Sequence, residues 1–256
     1  MMQQAVGVLF FLLLCGGVYG QNLTLAGGAP SGRIVNGTTA SQRYPFLVAL
    51  LNKDGQFCGA SIITLTHALT AAHCLEDYPA PDSLALRGGS NSDKSGGVIF
   101  YVGYYVLHPN YNKASLDQDA AIITIIGSFG GYPNIGVIPL QESEIAPTWC
   151  YAVGWGYTDG TAQTNPDSLQ FAFLELQSFS KCYAAWGRGY TPQMICAKTP
   201  NVDICNGDSG GPLVCNNRLT GIASFVYDNC TGIKPAVFAK VASPSIRSFI
   251  RANAGI

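Results

Sequence analysis

The sequence predicts an all-β protein, and three observations carry that prediction. Only 11% of the 256 residues are charged, and 30 are glycine. Short apolar runs also recur at regular spacing between turn residues, the pattern of sandwiches and barrels. Low charge with abundant glycine argues against coiled coils and helical bundles. The length suits one large domain or two small ones sharing a core. A net charge of -1 offers no attraction to nucleic acid or an anionic membrane, so neither is expected as a partner.

Residues 1–20 read as a secretory signal peptide. The apolar run 6–14 is followed by Cys15 and the small residues Gly16, Gly17 and Gly20. It is too short to span a bilayer. No Lys or Arg precedes it, so the free amino terminus supplies the only positive charge. No later stretch approaches about eighteen consecutive apolar residues, so a secreted, extracellular, soluble product is expected. Residues 21–33, rich in Gly, Ala, Pro and Ser, end in Arg33 before Ile34-Val35-Asn36-Gly37. They read as a removable activation pro-segment, with an unstructured linker as the alternative. Residues 34–256 remain as the folded unit.

Strand patterns follow at 46–51, 57–63 and 68–74, the first two joined by the hairpin turn Asn52-Lys53-Asp54-Gly55. Further short strands are expected at 83–86, 97–107 and 120–126, then at 149–155, 168–176, 211–214, 219–225 and 236–240. The one clear helix comes last. Ser243 can cap it, Pro244 takes its first position, and Ile246, Phe249 and Ile250 fall on one face.

Without Cys15, eight cysteines remain, an even number that predicts disulfides in a secreted chain without choosing the pairs. There is no Cys-x-x-Cys and no His/Cys cluster at ligand spacing, so structural zinc is not expected. Asn22, Asn36 and Asn229 each begin an Asn-x-Ser/Thr acceptor for glycosylation.

The chemistry centres on residues 203–212, Asp-Ile-Cys-Asn-Gly-Asp-Ser-Gly-Gly-Pro. Glycines around one serine read as a rigid loop presenting the Ser209 hydroxyl. A hydroxyl needs an adjacent base to become a nucleophile. Of the three histidines, His67 lies in a strand-like run with no acid nearby, and His108 reads as turn chemistry before Pro109. His73 sits between Thr70-Ala71-Ala72 and Cys74, where a disulfide could pin it and small neighbours leave room for substrate. An imidazole base requires an orienting acid. Asp119 directly precedes an apolar strand, a costly place for a carboxylate without a partner, and is preferred over Asp117.

These residues resemble the chymotrypsin family of trypsin-like serine proteases from Ile34 to the C-terminus. The resemblance rests on Ile34-Val35-Asn36-Gly37, Thr70-Ala71-Ala72-His73-Cys74, Asp117-Gln118-Asp119-Ala120-Ala121, Gly154-Trp155-Gly156, Gly207-Asp208-Ser209-Gly210-Gly211-Pro212 and Lys234-Pro235. The chain order His, Asp, Ser is kept as well. The resemblance implies two six-stranded antiparallel Greek-key barrels with a C-terminal helix, and an active site in the cleft between them. It implies Ser209 as nucleophile, His73 as general base, Asp119 as orienting acid and the N–H groups of Gly207 and Ser209 as oxyanion hole. Cleavage after Arg33 would free Ile34 to pair with Asp208. The implied bridges are Cys58–Cys74, Cys150–Cys215, Cys182–Cys196 and Cys205–Cys230. Expected partners are protein or peptide substrates and proteinaceous inhibitors, for a monomer without a cofactor. The family's calcium loop corresponds to 86–97, where Asp93 is the sole acid, so no metal is expected.

The substrate pocket departs from trypsin. Asp203 matches the acid at the base of trypsin's pocket and by itself predicts cleavage after Lys or Arg. Ile204, with Val226 and Ala236 on walls that trypsin keeps glycine, should fill that depth. Ser224 opens one wall. Small aliphatic residues before the cut are therefore expected, with basic ones next. The alternative from another class is a catalytically inactive relative that binds a partner, although all three triad positions are retained.

Overall fold

In the computed structural model, residues 34–78, 80–158 and 166–256 are described. The signal peptide, the pro-segment and Arg33 lie outside them.

After the two-residue strand β1 (Thr38–Thr39), six strands form the first barrel. They are β2 (Leu47–Asn52), β3 (Gly55–Ile62), β4 (His67–Thr70), β5 (Ala85–Gly88), β6 (Val98–Leu107) and β7 (Ala121–Ile125). They close in the order β2-β3-β4-β7-β6-β5. The second barrel contains β8 (Trp149–Gly154), β9 (Gln170–Leu176), β10 (Met194–Lys198), β11 (Pro212–Cys215), β12 (Arg218–Phe225) and β13 (Ala236–Lys240). Its order, β8-β9-β10-β13-β12-β11 closing on β8, repeats that of the first, with β1 added against β9. In both, the fourth strand lies beside the first and the second and third follow, which is the Greek key. Every pairing between these strands is antiparallel.

The strands are justified by apolar residues that close on themselves. Val48, Leu50, Ile62, Leu69, Leu86, Ile122 and Ile123 are buried in the first barrel, and Leu174, Leu213 and Phe238 in the second. At the β2–β3 hairpin the Asn52 side chain accepts the Asp54 N–H at 2.8 Å, and Gly55 takes a φ of 118° that a side chain would resist. The expected strand at 68–74 stops at Thr70. Residues Ala72–Cys74 instead form a 3-10 turn, closed by Leu75 N–H on the Ala72 carbonyl.

Two α-helices are present among the described residues. α1 (Phe179–Trp186) is capped by Ser178, whose hydroxyl accepts the Lys181 N–H, and was not expected from the sequence. α2 (Pro244–Ala254) has the expected cap at Ser243 and buries Ile246, Phe249 and Ile250. That face packs into the first barrel's core, beside β7. Neither helix is long and apolar enough to cross a membrane.

Four disulfides join Cys58 to Cys74, Cys150 to Cys215, Cys182 to Cys196, and Cys205 to Cys230. The first lies in the first barrel and the other three in the second.

Candidate active site

The first barrel delivers the base and its acid. His73 sits on the 3-10 turn after β4, and Asp119 lies two residues before β7, which pairs with β4. Asp119 is fully buried. One carboxylate oxygen accepts the His73 backbone N–H at 2.9 Å, while the other meets His73 Nδ1 at 2.7 Å. This double contact fixes the imidazole and places its proton on Nδ1, leaving Nε2 as the basic nitrogen. Burial opposes a charged imidazole, but the Asp119 hydrogen bond and charge, with a smaller share from Glu76, outweigh it. The His73 pKa lies above its ordinary value.

The second barrel adds a third contact to the acid. The β12–β13 register slips between Ala223 and Phe225, leaving Ser224 at a bulge. Bulges re-aim side chains in this way. The Ser224 hydroxyl donates to Asp119 Oδ2 at 2.6 Å, across the two barrels. The sequence reading placed Ser224 in the substrate pocket. It does line that cavity, but its hydroxyl is spent on the acid.

Ser209 lies on the loop between β10 and β11 and shares a cavity of about 270 Å³ with His73. The two side chains do not hydrogen-bond to each other. The loop is pressed against the first barrel: Gly59 N–H donates to the Ser209 carbonyl at 2.8 Å, and Thr70 Oγ1 donates to the Gly59 carbonyl at 2.7 Å. A Cβ on Gly210 would fall 2.1 Å from Thr70 Oγ1 and 2.5 Å from the Gly59 oxygen, so only glycine fits there. The N–H groups of Asp208, Gly210 and Gly211 have backbone acceptors. Those of Gly207 and Ser209 have none among the described residues, and are available as donors.

Two acids lie behind the loop. Asp208 is buried, with Oδ1 accepting Gly156 N–H at 2.8 Å and Oδ2 accepting Cys205 N–H at 2.9 Å. A Cβ on Gly156 would sit 2.4 Å from that carboxylate. Burial raises the Asp208 pKa to about 6 despite the two donors. Asp203, 1% exposed, accepts the Gly232 N–H at 3.0 Å. Burial lifts its pKa to about 7, against backbone donors at Gly232 and Ile204 and the charge of Lys198, and with help from Asp208.

The cavity walls differ from the sequence reading in two places. Ile204 and Val226 line the cavity, whereas Asp203 and Ala236 do not. Ala236 is 2% exposed and packs with Ile204 in the second barrel's core, which removes it from the wall. Asp203 turns away to Gly232. Asn206 and Phe225 line the cavity and escaped the sequence reading.

The competing residues have other partners. Asp117 accepts the Thr191 hydroxyl, and His67 Nδ1 meets the hydroxyls of Thr64 and Thr66. His108 is buried against Phe249 and bonded to Ser245. Among the described residues, the one cluster of metal-ligand type is Cys58, His73 and Cys74, and both sulfurs are consumed in a disulfide. In the loop 86–97, Asp93 is buried with Oδ1 unpartnered.

Two closed barrels with a histidine–carboxylate pair facing a serine on a glycine-lined loop define a serine hydrolase of the double-barrel class. The family model described as Trypsin matches residues 34–250. Curated relatives include Trypsin beta from Drosophila erecta, 36% identical over 87% of this chain and 89% of its own length. Trypsin epsilon of the same species is 34% identical over 93% and 94%. Trypsin delta from Drosophila melanogaster is 36% identical over 87% and 89%. The chain belongs to the trypsin (chymotrypsin-type) family of serine endopeptidases.

Proposed function

We propose that Ser209 attacks the substrate carbonyl, His73 Nε2 takes its proton and returns it to the leaving amine, and Asp119 holds the imidazole. Water then hydrolyses the acyl-enzyme by the same base. The Gly207 and Ser209 N–H groups receive the developing oxyanion, each such donor contributing on the order of 3 kcal/mol to barrier lowering. The observation that carries this reading is His73, clamped by buried Asp119, sharing a cavity with Ser209.

The enzyme is made as a secreted zymogen, with residues 1–20 removed as signal and 21–33 released by cleavage after Arg33. Support comes from the segment that follows the cut. Ile34 is fully buried, and Val35 forms a β-bridge with Asp203. Ile34 also holds a φ of 56°, a conformation that costs a β-branched residue on the order of 1–3 kcal/mol and ends when the chain is cut. The freed Ile34 ammonium pairs with Asp208, whose buried carboxylate has two N–H donors but no cation among the described residues. The working form is a monomer acting on proteins and peptides and open to proteinaceous inhibitors. Asn36 and Asn229, both exposed, carry glycans in this reading.

The residue before the cut is small and aliphatic, because Ile204 and Val226 line the cavity while Asp203 is withdrawn. A basic residue is the second reading, favoured by the presence of Asp203 and by relatives named trypsin. Turnover of chromogenic peptides ending in Ala or Val, against those ending in Arg or Lys, separates the two. Faster cleavage after Ala or Val is expected, and a strong preference for Arg would overturn it.

A further inference from the structure

Lys234, half of the Lys234-Pro235 motif, has no part in the triad or the pocket. Its ammonium lies 4.8 Å from the ring centroids of both Trp186 and Tyr227, at cation–π distance. Both rings are themselves anchored. Trp186 donates its indole N–H to the Pro235 carbonyl at 3.0 Å and packs edge-on to Phe225, with centroids 5.0 Å apart. Tyr227 meets Trp186 edge-on at 6.3 Å. Phe225 lines the cavity of Ser209 and His73. Phe225, Trp186, Tyr227 and Lys234 therefore form one continuous wall that starts in the substrate cavity and ends on a positive charge.

That charge is placed but unspent. Lys53, Lys94, Lys113 and Lys240 each hold a carboxylate, and Lys198 donates to the Ile233 carbonyl. Lys234 has no ion pair and no hydrogen bond among the described residues. The rings restrict its long stem in advance, so an incoming anion meets a cation that has already lost much of its rotamer freedom. Lys234 is half-buried as a residue, and its ammonium N–H groups have no acceptor among the described residues.

We propose that Lys234 is a specificity-determining residue that selects substrates with Asp or Glu upstream of the scissile bond. The inference rests on the protease reading of the Ser209 site. From the Phe225 ring through Trp186 to the ammonium is about 10 Å at most. An extended peptide advances about 3.3 Å per residue, so an ammonium within that span lies beside the second to fourth residues before the cut, with the third at the centre of the range.

The test uses the cleaved enzyme and peptides that are identical except for Glu, Gln or Lys at the second, third or fourth position before the cut. Glu is expected to raise kcat/KM about three- to tenfold over Gln at the third position, less at higher salt. Lys234→Met, which keeps the apolar stem, should abolish the preference, Lys234→Arg should keep it, and Lys234→Glu should turn it toward Lys. Equal rates for Glu and Gln at all three positions overturn the proposal, as does a preference that survives Lys234→Met. Affinity of the same peptides for the Ser209→Ala protein, read by tryptophan fluorescence, gives a measure independent of turnover. Glu-selective binding without turnover of any peptide by the parent sinks the protease reading and keeps the Lys234 site. Turnover without charge selectivity does the reverse.

Discussion

The two barrels share one strand order, yet they hold their parts of the site by different means. The first presents His73 and Asp119 within two or three residues of paired strands, and fixes them with hydrogen bonds into a buried carboxylate. The second presents Ser209 three residues before β11, on a loop whose own residues form no strand. It compensates with a disulfide from Cys205 to the neighbouring loop at Cys230, and with glycines that let the loop lie against the first barrel. The same topology thus holds the proposed base, His73, by polar contacts and the proposed nucleophile, Ser209, by cross-linking and close approach. Ser224 is where the two schemes meet, since it donates from the second barrel to the acid of the first.

The comparison breaks most severely at Asp119. Asp119→Asn removes both the orientation and the charge that favours the imidazolium, and kcat/KM should fall about ten-thousandfold, as in the Ser-His-Asp template. Without the carboxylate, burial of His73 is opposed only by the smaller influence of Glu76, so the acid limb of the pH–rate profile should move to lower pH. In the parent, activity should rise as pH passes upward through the raised His73 pKa, because the proposed base must be neutral.

The disulfides separate the barrels next. Opening Cys58–Cys74 or Cys205–Cys230 by paired Ala substitutions should each cost about 3 kcal/mol, because the closed loops, of sequence separation 16 and 25, differ little in entropy. The functional effects should differ. Loss of Cys205–Cys230 frees the nucleophile loop and should lower kcat well beyond the loss seen with the other pair, measured at equal fractions folded.

Asp208 gives a pH test of the uncleaved chain. Its pKa rises from 3.8 unfolded to about 6 folded, so the folded state binds the proton more tightly. Stability contributed by this group is therefore present below about pH 4 and lost as pH climbs to about 6, a change of roughly 3 kcal/mol. Urea unfolding across this range should show that Asp208→Asn removes this part of the pH dependence, while Asp203, raised in the same direction, keeps its own.

The smallest effect in this series is at the meeting point. Ser224→Ala deletes one of three hydrogen bonds to a buried carboxylate and should lower kcat about ten- to a hundredfold with little change in KM.

Much of this site is legible in the sequence because local rules set it. The acid before an apolar strand, the cap at Ser243 and the glycine-flanked serine are each written in a few adjacent residues. What escapes depends on distant parts of the chain. α1 has a capping serine, but Phe179 and Tyr183 are 49% and 45% exposed and only Cys182 is buried, so it has no apolar stripe. β10 is five residues without polar alternation. The role of Ser224 depends on a bulge, and the withdrawal of Asp203 depends on a Gly232 N–H that is 29 residues away. The pocket, where such long-range choices accumulate, is accordingly where the sequence reading and the structure part.

Ser209, activated by His73, is the proposed nucleophile. That role is tested most directly by treating the protein, cleaved after Arg33, with a serine-directed phosphonate and mapping the adduct by mass spectrometry. A single adduct on Ser209, absent from Ser209→Ala and strongly slowed in Asp119→Asn, is the result predicted. No adduct on the cleaved parent, or an adduct that persists in Ser209→Ala, would contradict it.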